Sequence, residues 1–278
     1  MLTVLHASDL QCGKPFLPRA ADALVALAGQ VSPDVVVVAG DLTQRAKDRE
    51  YVTASGLLDR LPDVPCVVTP GNHDVPLYRV WERAFAPYRN WRRRISPALD
   101  TVTTLDGATF VALNSSAPRR AIVNGRIDDD QVDFARRAFR AAPTNDVRVL
   151  VIHHHFVPVP DGKGGKPLPR AKRLVAEFEA MGADLVLGGH VHQTHLSTSN
   201  ALLGSEGRVG LPLLACGTTT SWRGRGPEAG LNSLNVVRVG AREIEVVPHL
   251  MSARGDRFEP RDPVVFARPI RPDSGTAR

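Results

Sequence analysis

Residues 34–43 read DVVVVAGDLT, a short run of mostly β-branched apolar residues that ends in a glycine and an aspartate. A continuous run of valines is typical of a strand that is buried on both faces. Similar runs occur at 2–7, 65–68, 109–113, 147–152 and 183–187, and segments with helical spacing occur at 19–30, 47–60, 128–141 and 170–181. This alternation of strands and helices predicts an α/β layered protein.

The last third of the chain has a different pattern. Apolar runs at 211–215, 233–239 and 243–247 follow one another without a long helix between them. They predict antiparallel strands, which we expect to form a second sheet packed on the first. From Ser252 onward the chain is rich in Pro, Arg and Asp, and we expect it to run over the surface and fray at its end. The predicted division is therefore a domain over 1–250 and a C-terminal tail over 251–278.

Composition limits the class of protein. The 278 residues are 43% hydrophobic, with no run long enough to cross a bilayer and no secretory signal, so we expect a cytoplasmic protein. Cys12, Cys66 and Cys216 are too few and too scattered for a disulfide framework. The formal net charge of +6 favours anionic partners such as phosphate esters, nucleic acid or acidic membrane surfaces. The oligomeric state cannot be read from the sequence.

Five predicted strands each run into polar residues of the kinds that bind metals. They are followed by Ser8-Asp9-Leu10-Gln11, Gly40-Asp41, Gly71-Asn72-His73-Asp74, His153-His154-His155 and Gly189-His190-Val191-His192. The carboxyl ends of strands are where open α/β sheets bind ligands. Each residue alone has an ordinary structural explanation, such as a helix cap for Asp9 or a turn for Asp41. Their joint occurrence at five strand ends favours a site.

The residue types in this set suit a pair of divalent metal ions. Carboxylate and amide oxygens are ligands for Mg and Mn, and imidazoles are ligands for Zn and Fe. A shared aspartate can bridge two ions held about 3.5–4 Å apart, which together activate water and clamp phosphoryl oxygens. His190 and His192 are two residues apart, so their imidazoles point the same way if the backbone is extended. The sequence therefore predicts metal-dependent hydrolysis of a phosphate ester.

The order of these motifs resembles that of the calcineurin-like metallophosphoesterases, over about residues 1–250. The matching motifs are Asp9-Leu10-Gln11, Gly40-Asp41-Leu42-Thr43, Gly71-Asn72-His73-Asp74, His153 and Gly189-His190-Val191-His192. Within that family, GDLT, GNHD and the HHH run look closest to the class III cyclic-nucleotide phosphodiesterase-like branch. The resemblance implies a four-layer α/β/β/α sandwich of two mixed sheets flanked by helices.

The resemblance also implies a role for each residue. One metal ion would be held by Asp9, Asp41 and His192 with position 11 as a further ligand, and the other by Asp41 as bridge, Asn72, His153 and His190. His73 would be the catalytic residue, which stabilises the transferring phosphoryl group or protonates the leaving oxygen. A metal-bridging hydroxide would be the nucleophile. The ions could be Mn, Fe, Zn or Mg. We choose His153 because it directly follows its strand, and His154 and His155 remain alternatives.

The sequence departs from the family pattern at position 11, where Gln11 replaces the usual histidine. An amide oxygen is a weaker ligand than an imidazole, so we expect the first metal site to be weakened or retuned. One alternative is that the chain retains metal and binds a ligand without hydrolysing it.

The substrate remains open. The predicted substrate is a cyclic nucleotide or another small phosphodiester, and the alternatives are a lipid-linked pyrophosphate or, less favoured, nucleic acid. Residues 81–94 mix Trp81, Phe85, Tyr88 and Trp91 with arginines. We expect a cap over the pocket with the aromatic side chains packed inward, the alternative being a surface for a membrane or nucleic acid. The glycine-rich loop 158–169 does not match a P-loop, and we expect a mobile loop beside the pocket.

Overall fold

The computed structural model describes residues 1–119, 123–160, 165–205 and 207–269, which form two mixed β-sheets with helices on their outer faces. The first sheet has the order β12-β11-β10-β1-β2-β3, with β13 also paired to β11. Its strands are β1 (Leu2–Ala7), β2 (Val35–Val38), β3 (Cys66–Val68), β10 (Ser233–Val239), β11 (Glu243–Met251), β12 (Phe258–Pro260) and β13 (Val264–Ala267).

The second sheet has the order β4-β5-β6-β7-β9-β8. Its strands are β4 (Thr101–Leu105), β5 (Ala108–Leu113), β6 (Val147–Ile152), β7 (Leu185–Gly188), β8 (His195–Thr198) and β9 (Pro212–Ala215). The helices are α1 (Pro18–Val31), α2 (Asp48–Leu58), α3 (Val80–Phe85), α4 (Arg89–Arg94), α5 (Asp129–Ala141), α6 (Ala171–Ala180) and α7 (Asn200–Leu203). The helices predicted at 19–30, 47–60, 128–141 and 170–181 correspond to α1, α2, α5 and α6.

Three apolar layers hold the sandwich together. Alternate residues of the two sheets, such as Val37 and Val149, pack face to face in a buried cluster between them. The opposite face of the first sheet packs on α1 and α2 through residues such as Leu24 and Tyr51. The opposite face of the second sheet packs on α5 and α6, with Phe178 at its centre. Both faces of each sheet are therefore covered, which explains the continuous apolar runs. The predicted four-layer fold class is confirmed.

The strands of the last third do not form a sheet of their own, so that prediction was wrong. β10 pairs antiparallel with β1, with Val4 opposite Val237, and extends the first sheet. β9 lies in the second sheet beside β7. Runs of apolar residues show that a strand is buried but not which neighbour it pairs with, because every strand here is covered in the same way.

The chain beyond Ser252 also contains more structure than its composition predicts. β12 and β13 both pair antiparallel with β11, which carries the first sheet as far as Ala267. These two strands were not predicted, because strands of three and four residues are too short for a period-two pattern to appear. Most residues of β13 are exposed, as expected of a segment on the surface. The fraying expected at the end of the chain concerns 270–278, outside the described residues. Within the described ranges, no helix combines the length and the apolar character needed to cross a bilayer.

Candidate metal centre

The candidate site lies where the carboxyl ends of strands from both sheets meet. β1, β2 and β3 supply Asp9, Asp41 and Asn72 from the first sheet, and β6 and β7 supply His153 and His190 from the second. Asp9, Gln11, Asp41, His190 and His192 all have φ between 53° and 75°, in the left-handed region that side chains disfavour. Such strained backbone persists only where the surrounding structure imposes it, and it concentrates at functional sites.

Asp9 is fully buried at the end of β1. Its Oδ2 accepts hydrogen bonds from the Ser8 hydroxyl at 2.7 Å and from the backbone N–H of His190 at 2.9 Å. Its Oδ1 has no hydrogen-bond partner among the described residues and lies 3.7 Å from Nε2 of His192. A buried carboxylate oxygen without a donor is costly, so this atom is placed to meet a cation.

Asp41 occupies the centre of the site. Its Oδ1 accepts a hydrogen bond from the backbone N–H of His73 at 2.8 Å and lies 3.5 Å from Nε2 of His153. Its Oδ2 accepts one from Nε2 of Gln11 at 2.9 Å. The two carboxylate oxygens therefore face opposite halves of the site, as a bridging ligand requires.

Asn72 and His73 lie in a single 3-10 turn, Asn72–Asp74, directly after β3. Oδ1 of Asn72 lies 2.9 Å from Nδ1 of His190 and 3.2 Å from Nε2 of His153. Nδ1 of His73 lies 3.0 Å from the carbonyl oxygen of Gln44, which fixes the proton on Nδ1 and leaves Nε2 as an acceptor facing the cavity. Nε2 of His73 also lies 3.3 Å from Nη1 of Arg223.

His153 is the member of the 153–155 run that faces the carboxylates. Its Nδ1 lies 2.7 Å from the carbonyl oxygen of Ala39 and carries the proton, so the lone pair of Nε2 faces Oδ1 of Asp41 and Oδ1 of Asn72. Burial lowers the pKa of His153, but the nearby carboxylates of Asp41 and Asp9 outweigh it, and the pKa lies above its usual range. The site attracts positive charge.

The other histidines differ from His153 in their surroundings. Nδ1 of His154 lies 2.7 Å from the Ser115 hydroxyl, yet a ring nitrogen of His154 also lies within 4.8 Å of one in His153 and one in His190. His155 stacks on His190 with ring centroids 5.6 Å apart. Sequence reasoning did not place these two rings against His190. His195, at the start of β8, is half-buried and does not line the site.

His190 and His192 face different halves of the site. Their left-handed backbone means that the extended conformation considered for this pair is not adopted. Nδ1 of His190 faces Asn72, whereas Nε2 of His192 faces Asp9. Burial, reinforced by the neighbouring histidines, holds the pKa of His190 well below its usual range, and burial lowers the pKa of His192 to about 3. Both rings are therefore neutral, which is the form that binds metals.

Asp74 holds the loops of the site together, a role that the motif alone did not reveal. Its buried carboxylate accepts hydrogen bonds from the backbone N–H groups of Leu42, Thr43 and Gly71 at 2.8–3.1 Å, and from the Thr43 hydroxyl at 2.9 Å. Burial and the neighbouring Asp41 raise the pKa of Asp74 to about 7. These bonds join the loop after β2 to the turn after β3.

Arg223 is the second functional candidate that sequence reasoning missed. It lies in the loop between β9 and β10, and its Nη1 donates to the side-chain oxygens of Gln11 and Gln44, both at 3.1 Å. No strand-end pattern marks it, because the loop that carries it follows β9 by several residues. Arg223 lines a cavity of about 270 Å³ together with Asp41, Asn72, His73, His190 and His192.

The segment 81–94 was predicted with all its aromatic side chains packed inward, which is half right. Trp91 is buried and Tyr88 is half-buried, and their helix α4 packs on α2. Trp81 and Phe85 are instead 79% and 75% exposed, and their rings stack in parallel with centroids 6.0 Å apart. Helix α3 is only six residues long, so it leaves these rings on the surface.

Part of the glycine-rich loop at 158–169 lies outside the described residues, namely 161–164, so its predicted mobility is not addressed. Gly165, immediately after them, lines the same cavity as His190 and Arg223. The position beside the pocket is therefore confirmed for this residue.

The donor set fits a metal centre. Nε2 of His153 and Oδ1 of Asp41 are both acceptors that face each other at 3.5 Å, and Oδ1 of Asn72 lies beside them. In the other half of the site, Oδ1 of Asp9 faces Nε2 of His192. Cations between these acceptors would satisfy all of them. Two groups of potential ligands are brought together, Asp9-Asp41-His153 and His153-His154-His190.

Comparisons with known proteins agree with this geometry. The sequence model of the calcineurin-like phosphoesterase family matches residues 2–194. A 3',5'-cyclic adenosine monophosphate phosphodiesterase of Pseudomonas aeruginosa is 29% identical over 168 residues, which cover 58% of this chain and 54% of that protein. The chain thus matches about half the length of this curated relative.

Two solved structures show the same fold. A purple acid phosphatase from yellow lupin (Lupinus luteus) seeds superposes with a TM-score of 0.72 at 12% identity, covering 96% of this chain and 54% of that one. A dimetal phosphatase from Danio rerio superposes with a TM-score of 0.65 at 11% identity, covering 96% of this chain and 99% of that one.

The chain belongs to the calcineurin-like phosphoesterases, a family of hydrolases that act on phosphoric esters at a dinuclear metal centre. The family predicted from the ordered motifs is confirmed, and the similarity to the Pseudomonas enzyme supports the cyclic-nucleotide phosphodiesterase-like branch.

Proposed function

We propose that this chain is a metal-dependent phosphodiesterase that acts on a cyclic nucleotide or another small phosphodiester. The observation that carries the proposal is the convergence of carboxylate, amide and imidazole side chains from five strand ends on the two sides of Asp41. One half of the proposed centre consists of Asp9, Asp41 and His192, and the other of Asp41, Asn72, His153 and His190. When bound, the two metal ions would neutralise the phosphoryl group and activate water.

The chain's own residues supply the rest of the chemistry. Asp41 sets the position of the two halves, since its oxygens face opposite sides. Nε2 of His73 faces the cavity and lies 3.3 Å from Nη1 of Arg223, and with a proton on Nε2 the ring can donate to a phosphoryl oxygen or to the leaving oxygen. The buried walls exclude bulk water and strengthen each electrostatic contact.

Cyclic nucleotides are the first substrates to test because of the similarity to the Pseudomonas cyclic AMP phosphodiesterase. A lipid-linked pyrophosphate is the second candidate. The exposed, stacked rings of Trp81 and Phe85 form an apolar surface of the kind that the chain of such a lipid would contact. The cytoplasmic location remains a prediction; it is supported by Cys12, Cys66 and Cys216 being free thiols.

The test is hydrolysis of bis-p-nitrophenyl phosphate by chelator-stripped protein, with and without added Mn²⁺. We expect turnover only after Mn²⁺ is restored, and then hydrolysis of cyclic AMP within a panel that includes a lipid-linked pyrophosphate and single-stranded DNA. Cleavage of DNA in preference to the small diesters would assign the chain to the nuclease alternative. No turnover with Mn, Mg, Zn or Fe, together with retained metal and nucleotide binding, would support the non-catalytic alternative instead.

A further inference from the structure

Arg223 has more contacts within the site than its sequence context predicts. Nη1 donates to Oε1 of Gln11 and to Oε1 of Gln44, and it lies 3.3 Å from Nε2 of His73. The two N–H groups of Nη1 are therefore engaged by the two glutamine oxygens, and the same nitrogen lies beside the residue expected to contact the phosphoryl group. An arginine placed by chance on a loop would not be fixed at this atom.

The remaining donors of Arg223 are available to a ligand. Among the residues that the structure describes, Nε and Nη2 have no hydrogen-bond partner, and the side chain lines the cavity with Asn72 and His73. A guanidinium presents its N–H groups as a planar fork that matches two phosphoryl oxygens. Because Nη1 is held by hydrogen bonds, the N–H groups of Nε and Nη2 are already oriented before a substrate binds.

The charges around Arg223 fit this arrangement. Burial lowers the pKa of Arg223, while the carboxylates of Asp41 and Asp9 act in the opposite direction, and a guanidinium remains charged in proteins. The guanidinium therefore brings a fixed positive charge into the half of the site where the family has a neutral imidazole at position 11. A positive charge beside developing negative charge on phosphoryl oxygens stabilises the transition state.

Gln11 links this charge to the bridging carboxylate. Its Nε2 donates to Oδ2 of Asp41, and its Oε1 accepts from Arg223. A glutamine can make both bonds because its amide has a donor and an acceptor side by side. A neutral imidazole that offered its lone pair to a metal ion would provide no acceptor for Arg223 at position 11. Glutamine at position 11 is thus suited to a site in which Arg223 needs an acceptor at that position.

We propose that Arg223 binds a phosphoryl oxygen of the substrate and that Gln11 positions it, so that position 11 serves substrate binding in this chain. The inference rests on the proposed function, since it names the group that this site would recognise. Arg223 is the contacting residue, whereas Gln11 acts through it.

The experiment measures the affinity of the Mn²⁺-loaded protein for inorganic phosphate by calorimetry, with metal content determined on the same samples. We expect Arg223→Gln to weaken phosphate binding by about 10–100-fold, the value of a charge-assisted hydrogen bond, with unchanged metal content. The phosphate affinity of Arg223→Lys should lie between those of the wild type and Arg223→Gln, because lysine keeps the positive charge but lacks the planar pair of N–H donors. Arg242→Gln removes the same charge from an exposed residue between β10 and β11 and should bind phosphate like the wild type.

Several outcomes would overturn the inference. Equal phosphate affinity in the wild type and Arg223→Gln would be one such outcome. Another would be a loss of bound metal from Arg223→Gln in parallel with the loss of phosphate binding, because Arg223 would then act by supporting the metal ions. The role of Gln11 is tested by Gln11→Leu, made alone and together with Arg223→Gln. Alone it should weaken phosphate binding, and in the double variant it should have little further effect. Additive effects of the two changes would exclude the positioning role.

The two proposals can fail separately. Phosphate binding that depends on Arg223 in a protein without turnover on bis-p-nitrophenyl phosphate would support this inference and contradict the proposed function. Turnover with phosphate affinity that does not depend on Arg223 would support the function and contradict this inference.

Discussion

Nε2 of Gln11 donates a hydrogen bond to Oδ2 of Asp41 over 2.9 Å, so the residue that departs from the family pattern is joined directly to the residue at the centre of the site. In this arrangement Gln11 presents an N–H group, and not a lone pair, to the proposed bridging carboxylate. The half of the site formed by Asp9 and His192 therefore has fewer ligands than the half formed by Asn72, His153 and His190.

Replacing Gln11 by histidine should strengthen that poorer half. We expect Gln11→His to bind the second equivalent of Mn²⁺ about 10-fold or more tightly than the wild type, because an imidazole adds a ligand. Metal stoichiometry during stepwise chelator competition measures this. Equal, tight occupancy of both sites in the two proteins would show that position 11 does not control the site.

Removing the bridging carboxylate should be the most damaging single change to a ligand. Asp41→Ala is expected to lower turnover by about 1,000-fold or more, because both halves of the centre lose a ligand and the charge that holds the ions. Circular dichroism should show a folded chain, since the sandwich core does not depend on Asp41. Full activity in Asp41→Ala would refute the two-metal assignment.

The buried carboxylate of Asp74 should matter for stability even without metal. Asp74→Ala leaves the N–H groups of Leu42, Thr43 and Gly71 without their acceptor, and we expect a loss of about 3 kcal/mol in the free energy of unfolding. Urea unfolding of chelator-stripped protein gives this value. The control is Asp63→Ala, at an exposed aspartate, which should change stability by less than about 0.5 kcal/mol. Similar values for both variants would contradict the role of Asp74.

Gly189 is required by close packing under the first half of the site. A Cβ at this position would lie 1.8 Å from the Ser8 hydroxyl and 2.6 Å from Oδ2 of Asp9. Gly189→Ala should therefore displace Asp9 and lower metal content to about one ion per chain. In contrast, Gly29→Ala, in α1 with open space around the new methyl group, should keep both ions and gain up to about 1 kcal/mol of stability. Two retained ions in Gly189→Ala would show that Asp9 is not needed for metal binding.

His6 should make stability fall at acidic pH. It is fully buried in β1, its Nε2 lies 3.0 Å from the carbonyl oxygen of Gly188, and burial lowers its pKa to about 4. The unfolded chain binds a proton at this residue below about pH 6.5 and the folded chain only near pH 4, so stability is full above pH 6.5 and is lost as pH falls between these values.

The contribution of His6 can be separated from that of the other buried histidines. The loss for one such group is about 1.4 kcal/mol for each pH unit in this range. Urea unfolding of chelator-stripped wild type and His6→Gln at several pH values should show a shallower pH dependence in the variant. Parallel curves would mean that His6 is not neutral in the fold.

The places of the proposed ligands in the fold could be predicted because these residues follow strands that the sequence marks clearly. Val147–Ile152 is apolar except for Arg148, so the first residue after it, His153, could be assigned to the edge of the sheet. The sheet to which β10 belongs could not be predicted in the same way, because strands of both sheets are buried to a similar extent and carry similar apolar residues. The pairing depends on contacts between residues more than 200 positions apart, such as Val4 and Val237.

The interactions that modify the site were harder to predict than its ligands. Arg223 and Asp74 act through loops, where the chain path is set by tertiary packing and no periodic pattern reports it. The motif named Asp74 without a role, because three of its four hydrogen bonds come from Leu42 and Thr43 in another loop. Trp81 and Phe85 were misplaced for a related reason: an amphipathic pattern in a six-residue helix does not show which face meets the protein.

The most direct test of the proposed metal centre is anomalous X-ray diffraction from crystals of the protein loaded with Mn²⁺, with data collected on both sides of the manganese edge. We expect two peaks about 3.5–4 Å apart, one on each side of Asp41, the first beside Asp9 and His192 and the second beside Asn72, His153 and His190. Manganese peaks that lie away from Asp41, or none at all in crystals whose solution contains excess Mn²⁺, would show that Asp41 does not bridge a two-metal centre.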